Sequence, residues 1–323
     1  MTGSLQFGRI VGEPIDRYHG SGCLSSTKLG DFISLGADYY RRRYITGEIK
    51  ADDDTQSQLI GHSSHCLILE GERAYRETYA VLPPDAPAKP TQVMLNARNP
   101  SPESIARMNW WSQWDSENAG KCVLKAEDDA TNRRMLKAVR EHPIAWPIIM
   151  ATQHEVTFRA KGQHFEVQCR FDMICDQCPE ELAALLHANL DTGAELCVRP
   201  GLPFGADFKS TRSLPMFIRQ FDDFGYYRQF AFYSGLLAEN FDVQLEDFLC
   251  IACENCEPFH VGVFAVDSTA MAAGSREVIT SVKKLIQCHE TGIWEGSNPK
   301  VQRLGLRPWR LREITGATES GLE

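Results

Sequence analysis

Asp207-Phe208-Lys209, with Asp172 upstream in Cys169-Arg170-Phe171-Asp172, sets two carboxylates and an ammonium in a short stretch of chain. Apolar residues flank the triplet in Phe204-Gly205-Ala206-Asp207-Phe208-Lys209-Ser210-Thr211, which favours a short strand. Residues two apart on a strand share a face, so Asp207 and Lys209 line one wall while Phe208 packs behind it. Acids that can hold a divalent metal, beside an amine, suit the hydrolysis of a phosphodiester. A D-x-K triplet also recurs by chance, and an exposed strand-end ion pair is its ordinary explanation. The surrounding residues decide between the two.

Glu155 joins the set if the hairpin that carries it and Asp172 lies beside the Asp207 strand. Oxygen-rich sites suit Mg2+, for which Mn2+ can substitute. Asp172 and Asp207 would be direct ligands, the backbone carbonyl of Phe208 a third, and Glu155 would bind directly or through water. Lys209, with an unperturbed pKa of about 10.4, would stay protonated, orient the attacking water and offset charge on the phosphorane. Gln229 and Tyr233 stand four apart on a helical pattern that also carries Tyr227, and could grip a backbone phosphate or sugar. Arg170 and Arg212 flank the acids, as expected if phosphate is drawn toward carboxylates. His65 lies in Gly61-His62-Ser63-Ser64-His65-Cys66-Leu67-Ile68-Leu69-Glu70. A lone histidine on so apolar a helix is more often a hydrogen-bonded core residue than a ligand.

The elements that must position these residues follow from periodicity and capping. Residues 1–22 read as an irregular arm. Ser25 offers an N-cap to a helix over 28–43, and a polar break at 51–54 precedes a second helix over 56–72. A short strand at 79–82 leads into a proline-rich loop and helices over 102–119 and 127–140. Trp110, Trp111 and Trp114 are expected in core packing. Strands at 154–160 and 164–175 alternate as a hairpin turning at Lys161-Gly162. After a stretch over 178–203, with a helix at 180–189, comes the Asp207 strand. Helices at 214–222 and 225–240, strands at 247–253 and 259–267, and a closing helix at 269–291 complete the pattern. No repeat or linker divides it, so an α/β domain over 23–315 with a helical N-terminal layer fits best, followed by a tail at 316–323.

Bulk properties bound the function. The 323 residues are 43% hydrophobic and 24% charged, which fits a globular chain. There is no apolar run of membrane-spanning length and no signal segment near the start, so a cytoplasmic protein without membrane contact is expected. Eleven cysteines at irregular spacing read as reduced thiols. A net charge of −9 argues against a surface-wide nucleic-acid interface but leaves room for a local basic groove.

In this order the residues resemble the PD-(D/E)XK nuclease superfamily, and within it the RecE-like (exodeoxyribonuclease VIII) branch, from about Tyr18 to Trp309. Leu24-Ser25-Ser26-Thr27-Lys28-Leu29 with Asp38-Tyr39-Tyr40 resembles that branch's first helix. Gly61 to Glu70 resembles its G-x-x-x-H-x-L-L-L-E segment, which gives His65 the place of an active-site and metal-binding histidine. Glu155, Asp172, Asp207 and Lys209 match the acidic and lysine positions, and Gln229 and Tyr233 the Q-x-x-x-Y signature. The resemblance implies an αβββαβ core and a Mg2+-dependent DNA exonuclease. It implies degradation of one strand of linear duplex from the 5′ end, leaving 3′ single-stranded overhangs for recombination or repair. The implied partners are double-stranded DNA ends and a single-strand annealing protein, and the implied assembly is a ring-like homo-oligomer.

Two features depart from that pattern. Asp172 and Asp207 are 35 positions apart, so 178–203 reads as an insertion. Cys250, Cys253 and Cys256 have C-x-x-C-x-x-C spacing, with Cys175, Cys178 and Cys23 elsewhere. An iron–sulfur cluster or zinc is the weaker reading of these thiols, because residues three apart on a strand face opposite ways. The alternatives are thus a structure-specific or single-strand nuclease with such a cluster, and a non-catalytic DNA-end-binding protein.

Overall fold

The computed structural model describes residues 5–50, 55–296, 301, 303, 305, 306 and 308–315. Eight strands are β1 (Gly8–Val11), β2 (Tyr79–Leu82), β3 (Cys122–Lys125), β4 (Gln153–Lys161), β5 (Glu166–Cys175), β6 (Phe204–Thr211), β7 (Phe248–Glu254) and β8 (Val261–Ala265). Six form a mixed central sheet in the order β1-β4-β5-β6-β7-β8, in which only β6 and β7 run parallel. A parallel pair needs a long crossover, supplied here by helices Leu214–Asp223 and Tyr226–Phe241. β2 and β3 pair separately as a small parallel sheet.

The sheet is flanked by helices on both faces, and β7 shows why. Phe248, Cys250 and Ala252 enter one apolar core, whereas Leu249, Ile251 and Cys253 enter the other. A strand buried on both sides reads as a continuous apolar run. The first core receives helices Ser26–Leu35, Tyr226–Phe241 and Ser268–Thr291; Phe230 stacks on Phe248 with ring centroids 4.0 Å apart. Burying one such ring contributes about 2 kcal/mol. The second core receives Ala126–Glu141, Ala145–Ala151 and Glu180–Ala188. The same pleat sends Cys250 and Cys253 to opposite faces, where they cannot ligate one ion together.

Most expected elements lie within a few residues of their places, and the differences have physical causes. The helix expected over 28–43 starts on the Ser25 cap but stops at Leu35, because Gly36 takes φ 93 and turns the chain. Residues 1–22 are not simply irregular: they hold β1 and a helix, Ile15–His19. Four residues are too few to show a period, and β1 is placed by its antiparallel ladder to β4, Gly8 opposite Arg159 through Val11 opposite Val156. β3 and the Ala145–Ala151 helix were not among the expected elements either. In the 178–203 stretch, Leu182, Ala183, Leu186 and Val198 join the second core. Of Trp110, Trp111 and Trp114, Trp111 is buried; Trp110 and Trp114 stack 6.3 Å apart in a local cluster outside the sheet's cores. The break at 51–54 and the tail at 316–323 lie outside the described residues. No helix among the described residues is long and apolar enough to cross a membrane.

Candidate functional site

The antiparallel ladder between β5 and β6 runs from Cys175 opposite Phe204 to Met173 opposite Ala206 and then stops. The next pair would set Asp172 against Asp207, two carboxylates whose repulsion favours separation, and a fork opens there. The Phe208 N–H, released from the β5 ladder, donates to Asp172 Oδ2 at 3.0 Å. On its other side β6 stays paired with β7 from Gly205 to Thr211, which keeps it extended. Asp207 and Lys209 therefore share a face, with Lys209 Nζ 2.6 Å from Asp207 Oδ2, while Phe208 packs in the second core.

Glu155 enters the fork by a backbone irregularity. It takes φ 55 near the start of β4, and the ladder with β5 passes from His154–Met173 to Val156–Phe171 without it. A left-handed conformation at a residue with a side chain costs about 1–2 kcal/mol, so its surroundings must hold it there. Arg170 does so from β5: its Nε donates to Glu155 Oε2 and its Nη1 donates to the Glu13 carbonyl at 2.5 Å. Glu13 itself takes two 3.0 Å bonds from the fully buried Arg159. A chain of charge-assisted bonds thus runs from the N-terminal segment to the fork.

His65 arrives on helix Gln56–His65, which can lie close to β6 because position 61 is glycine. A Cβ on Gly61 would stand 3.2 Å from Ser210 Oγ. The imidazole bridges two acids, with Nδ1 3.2 Å from Glu155 Oε1 and Nε2 3.0 Å from Asp172 Oδ2. It is a bridge in the fork, not a lone core histidine. From the opposite layer Gln229 donates Nε2 to Asp207 Oδ1 at 3.0 Å and lies 3.4 Å from the Tyr233 hydroxyl.

The structure therefore gathers His65, Glu155, Asp172, Asp207, Phe208, Lys209 and Gln229. Other expected contacts have different partners. Tyr233 is buried, with its ring 5.0 Å from Phe171, so it supports Gln229 from within the core. Arg170 is committed to Glu155 and Glu13 and is not a free phosphate ligand. Tyr227 faces another helix and donates to Glu277 at 2.8 Å. Arg212 is exposed at the end of β6. Two residues had no assigned role. Tyr226, three before Gln229 on the same helical face, holds its ring 5.0 Å from Lys209 Nζ. Glu70, ten residues into the Gly61 segment, offers an oxygen that lies with atoms of His65 and Glu155 inside 4.8 Å.

Burial and mutual charge set the protonation of the fork. Burial, then the neighbouring Asp172 charge, push Asp207 up to about 7. Burial acts on Asp172 in the same sense, but His65, Lys209 and the Phe208 amide outweigh it and hold the carboxyl well below the usual range. Burial opposes the charge on His65, yet Asp172, Glu155 and Asp207 raise it to about 9. Burial likewise opposes the charge on Lys209, and Asp207 and Asp172 raise it further than burial lowers it. Burial raises Glu155.

A divalent cation fits this donor set. Glu155 Oε1 and Asp207 Oδ2 are buried without a well-directed hydrogen bond, although His65 and Lys209 stand within ion-pair distance. Buried carboxylate oxygens with lone pairs left over are costly unless a cation takes them. Oxygen ligands with one imidazole suit Mg2+ or Mn2+.

No protein-family model matches the chain. No curated protein matches it. Among solved structures, a protein from Eubacterium rectale described as a "Putative exonuclease" superposes with a TM-score of 0.52. It is 12% identical over 97% of this chain and 100% of its own. At that identity the likeness is one of fold.

Proposed function

We propose that this chain is a metal-dependent deoxyribonuclease of the PD-(D/E)XK type, acting on the ends of linear duplex DNA. The observation that carries the reading is the fork between β5 and β6. Five separate segments bring His65, Glu155, Asp172, Asp207, Lys209 and Gln229 into it in the order the resemblance implies. The succession of helix Gln56–His65, β4, β5, β6, helix Tyr226–Phe241 and β7 supports it, since it follows an αβββαβ plan. The fold likeness to the protein described as a "Putative exonuclease" points the same way.

His65, Glu155, Asp172 and Asp207, with the Phe208 carbonyl, would hold Mg2+. When bound, the ion supplies Lewis acidity at the phosphoryl oxygen and an acidified water. The protein's own groups do the rest. In the metal-free fork the Asp207 and Asp172 carboxylates hold the Lys209 proton, and the ammonium would serve as an electrostatic partner for the developing phosphorane charge. Gln229 fixes the orientation of Asp207, and Arg170 that of Glu155.

The test is product analysis on duplexes labelled separately at each end, with Mg2+ and with chelator. Mononucleotides released from the 5′ end, leaving a 3′ overhang, are expected from the wild type with Mg2+ only. Asp207→Asn and Lys209→Ala are each expected to lower the rate at least about a thousandfold. Equal degradation by wild type and variants, or none by either, removes the assignment.

A further inference from the structure

Beside the fork lies a cavity of about 430 Å3, between the length of helix Ser26–Leu35 and the first turns of helix Tyr226–Phe241. It shares Tyr226 and Gln229 with the site, the residues that touch Lys209 and Asp207. We propose that this cavity is a nucleoside subsite, taking the base and sugar next to the scissile phosphate. The inference rests on the nuclease reading and adds to it the group that the strand end inserts.

The lining fits an uncharged heteroaromatic ligand. Leu29, Ile33, Phe232 and Val278 make an apolar floor. At the edge stand the rings of Tyr226 and Phe224, the latter 61% exposed although aromatic. Base-on-aromatic stacking tolerates any sequence, as an end-degrading nuclease requires. The charges exclude a phosphate ligand. Asp31 contributes a carboxylate, and the Arg228 guanidinium is paired with Glu277 at 3.0 Å. Tyr44 donates to Asp31, which fixes that carboxylate on the wall. A phosphate would meet the Asp31 carboxylate there and find the Arg228 guanidinium already paired, whereas the Lys209 side of Tyr226 opens on the acids of the fork.

Gly30 provides a clean probe. It lines the cavity, lies mid-helix, and a Cβ built on it meets nothing within 4 Å. Gly30→Leu should therefore fill the space while favouring the helix, since leucine is the better helix former. Phe224→Ala removes the exposed ring without touching a core. The first measurement is thymidine binding to metal-free protein, with inorganic phosphate as competitor. Millimolar binding, weakened at least about tenfold by each variant and unaffected by phosphate, is expected, since one stacked base contributes about 1–3 kcal/mol. Absence of binding, equal binding by the variants, or displacement by phosphate overturns the proposal.

The second measurement uses duplexes whose terminal nucleotide lacks its base. Wild type should cleave them at least about tenfold more slowly than the natural end, and Gly30→Leu should cleave both alike. Equal wild-type rates on the two ends overturn the subsite. Failure of wild type to cleave either duplex with Mg2+, while thymidine binds as expected, removes the nuclease reading and leaves the nucleoside site standing.

Discussion

His65 and Asp207 hold the fork in a state that a metal must change. Without metal the imidazole, raised to about 9, is a cation between Glu155 and Asp172, and Asp207, raised to about 7, shares a proton near neutrality. A metal ligand must give up that proton, so lower pH opposes binding. From about pH 8 to about pH 6, loss of the Asp207 carboxylate alone should weaken Mg2+ affinity about tenfold. Calorimetry in buffers of different ionisation enthalpy should find at least one proton released per metal; pH-independent affinity would mean that Asp207 is no ligand. The acids, the lysine and the glutamine were legible because type and order along the chain mark them. Arg170 was misread as a phosphate ligand, because its partners are 15 and 157 positions away and meet it only through strand pairing. As a bracket for Glu155 it should not tolerate lysine, which lacks the two-pronged head. Arg170→Lys is expected to lower kcat at least about tenfold with little change in KM, because under the proposed function it loosens the candidate ligand Glu155 and not a DNA contact.

At the scale of elements, the fork depends on where β5 and β6 stop pairing and on how closely the His65 helix approaches them. Periodicity revealed both long strands of the hairpin and the buried β7, since a regular alternation or a long apolar run survives in the sequence. It could not reveal β1 and β3, four residues each at edges, nor the left-handed turn at Glu155 inside an otherwise ordinary strand. The helix over 56–72 was expected whole, yet the chain ends its regular α-turns at His65, widens over Cys66–Glu70, and resumes at Gly71. That widening buries Cys66, Leu67, Ile68 and Leu69 together. Gly61 governs the approach of the helix to β6. A side chain there must displace Ser210 or lift the helix, so Gly61→Leu should destabilise the fold by about 1–3 kcal/mol in denaturant titrations. It should also lower cleavage by more than the unfolded fraction explains, because His65 rides on the same helix. Unchanged stability and activity would show that the close contact carries no constraint.

For the whole molecule, a formal charge of −9 must be reconciled with the polyanionic substrate proposed above. In the fork Glu155, Asp172 and Asp207 face His65, Arg170 and Lys209, so the metal-free site is close to neutral and offers duplex little attraction. Of the residues expected to contact DNA, Arg170 is internal, Tyr227 is tied to Glu277, and Arg212 is the exposed cation. If Arg212 and few other cations meet the duplex, few counterions are released. For one chain acting alone, the slope of log affinity against log salt should then be no steeper than about −3, from about three neutralised phosphates. A divalent ion adds two charges beside the scissile phosphate, so Ca2+ should raise duplex affinity while leaving that slope nearly unchanged. A ring would behave differently, because residues that each chain presents singly would line one channel and act on one duplex together. Salt titrations of duplex binding, run beside light scattering at the same protein concentrations, separate the two cases. A slope that steepens to about −6 or beyond as the mass rises would locate the DNA-binding charge in the assembly; a shallow slope at every mass would leave it with the metal and Arg212.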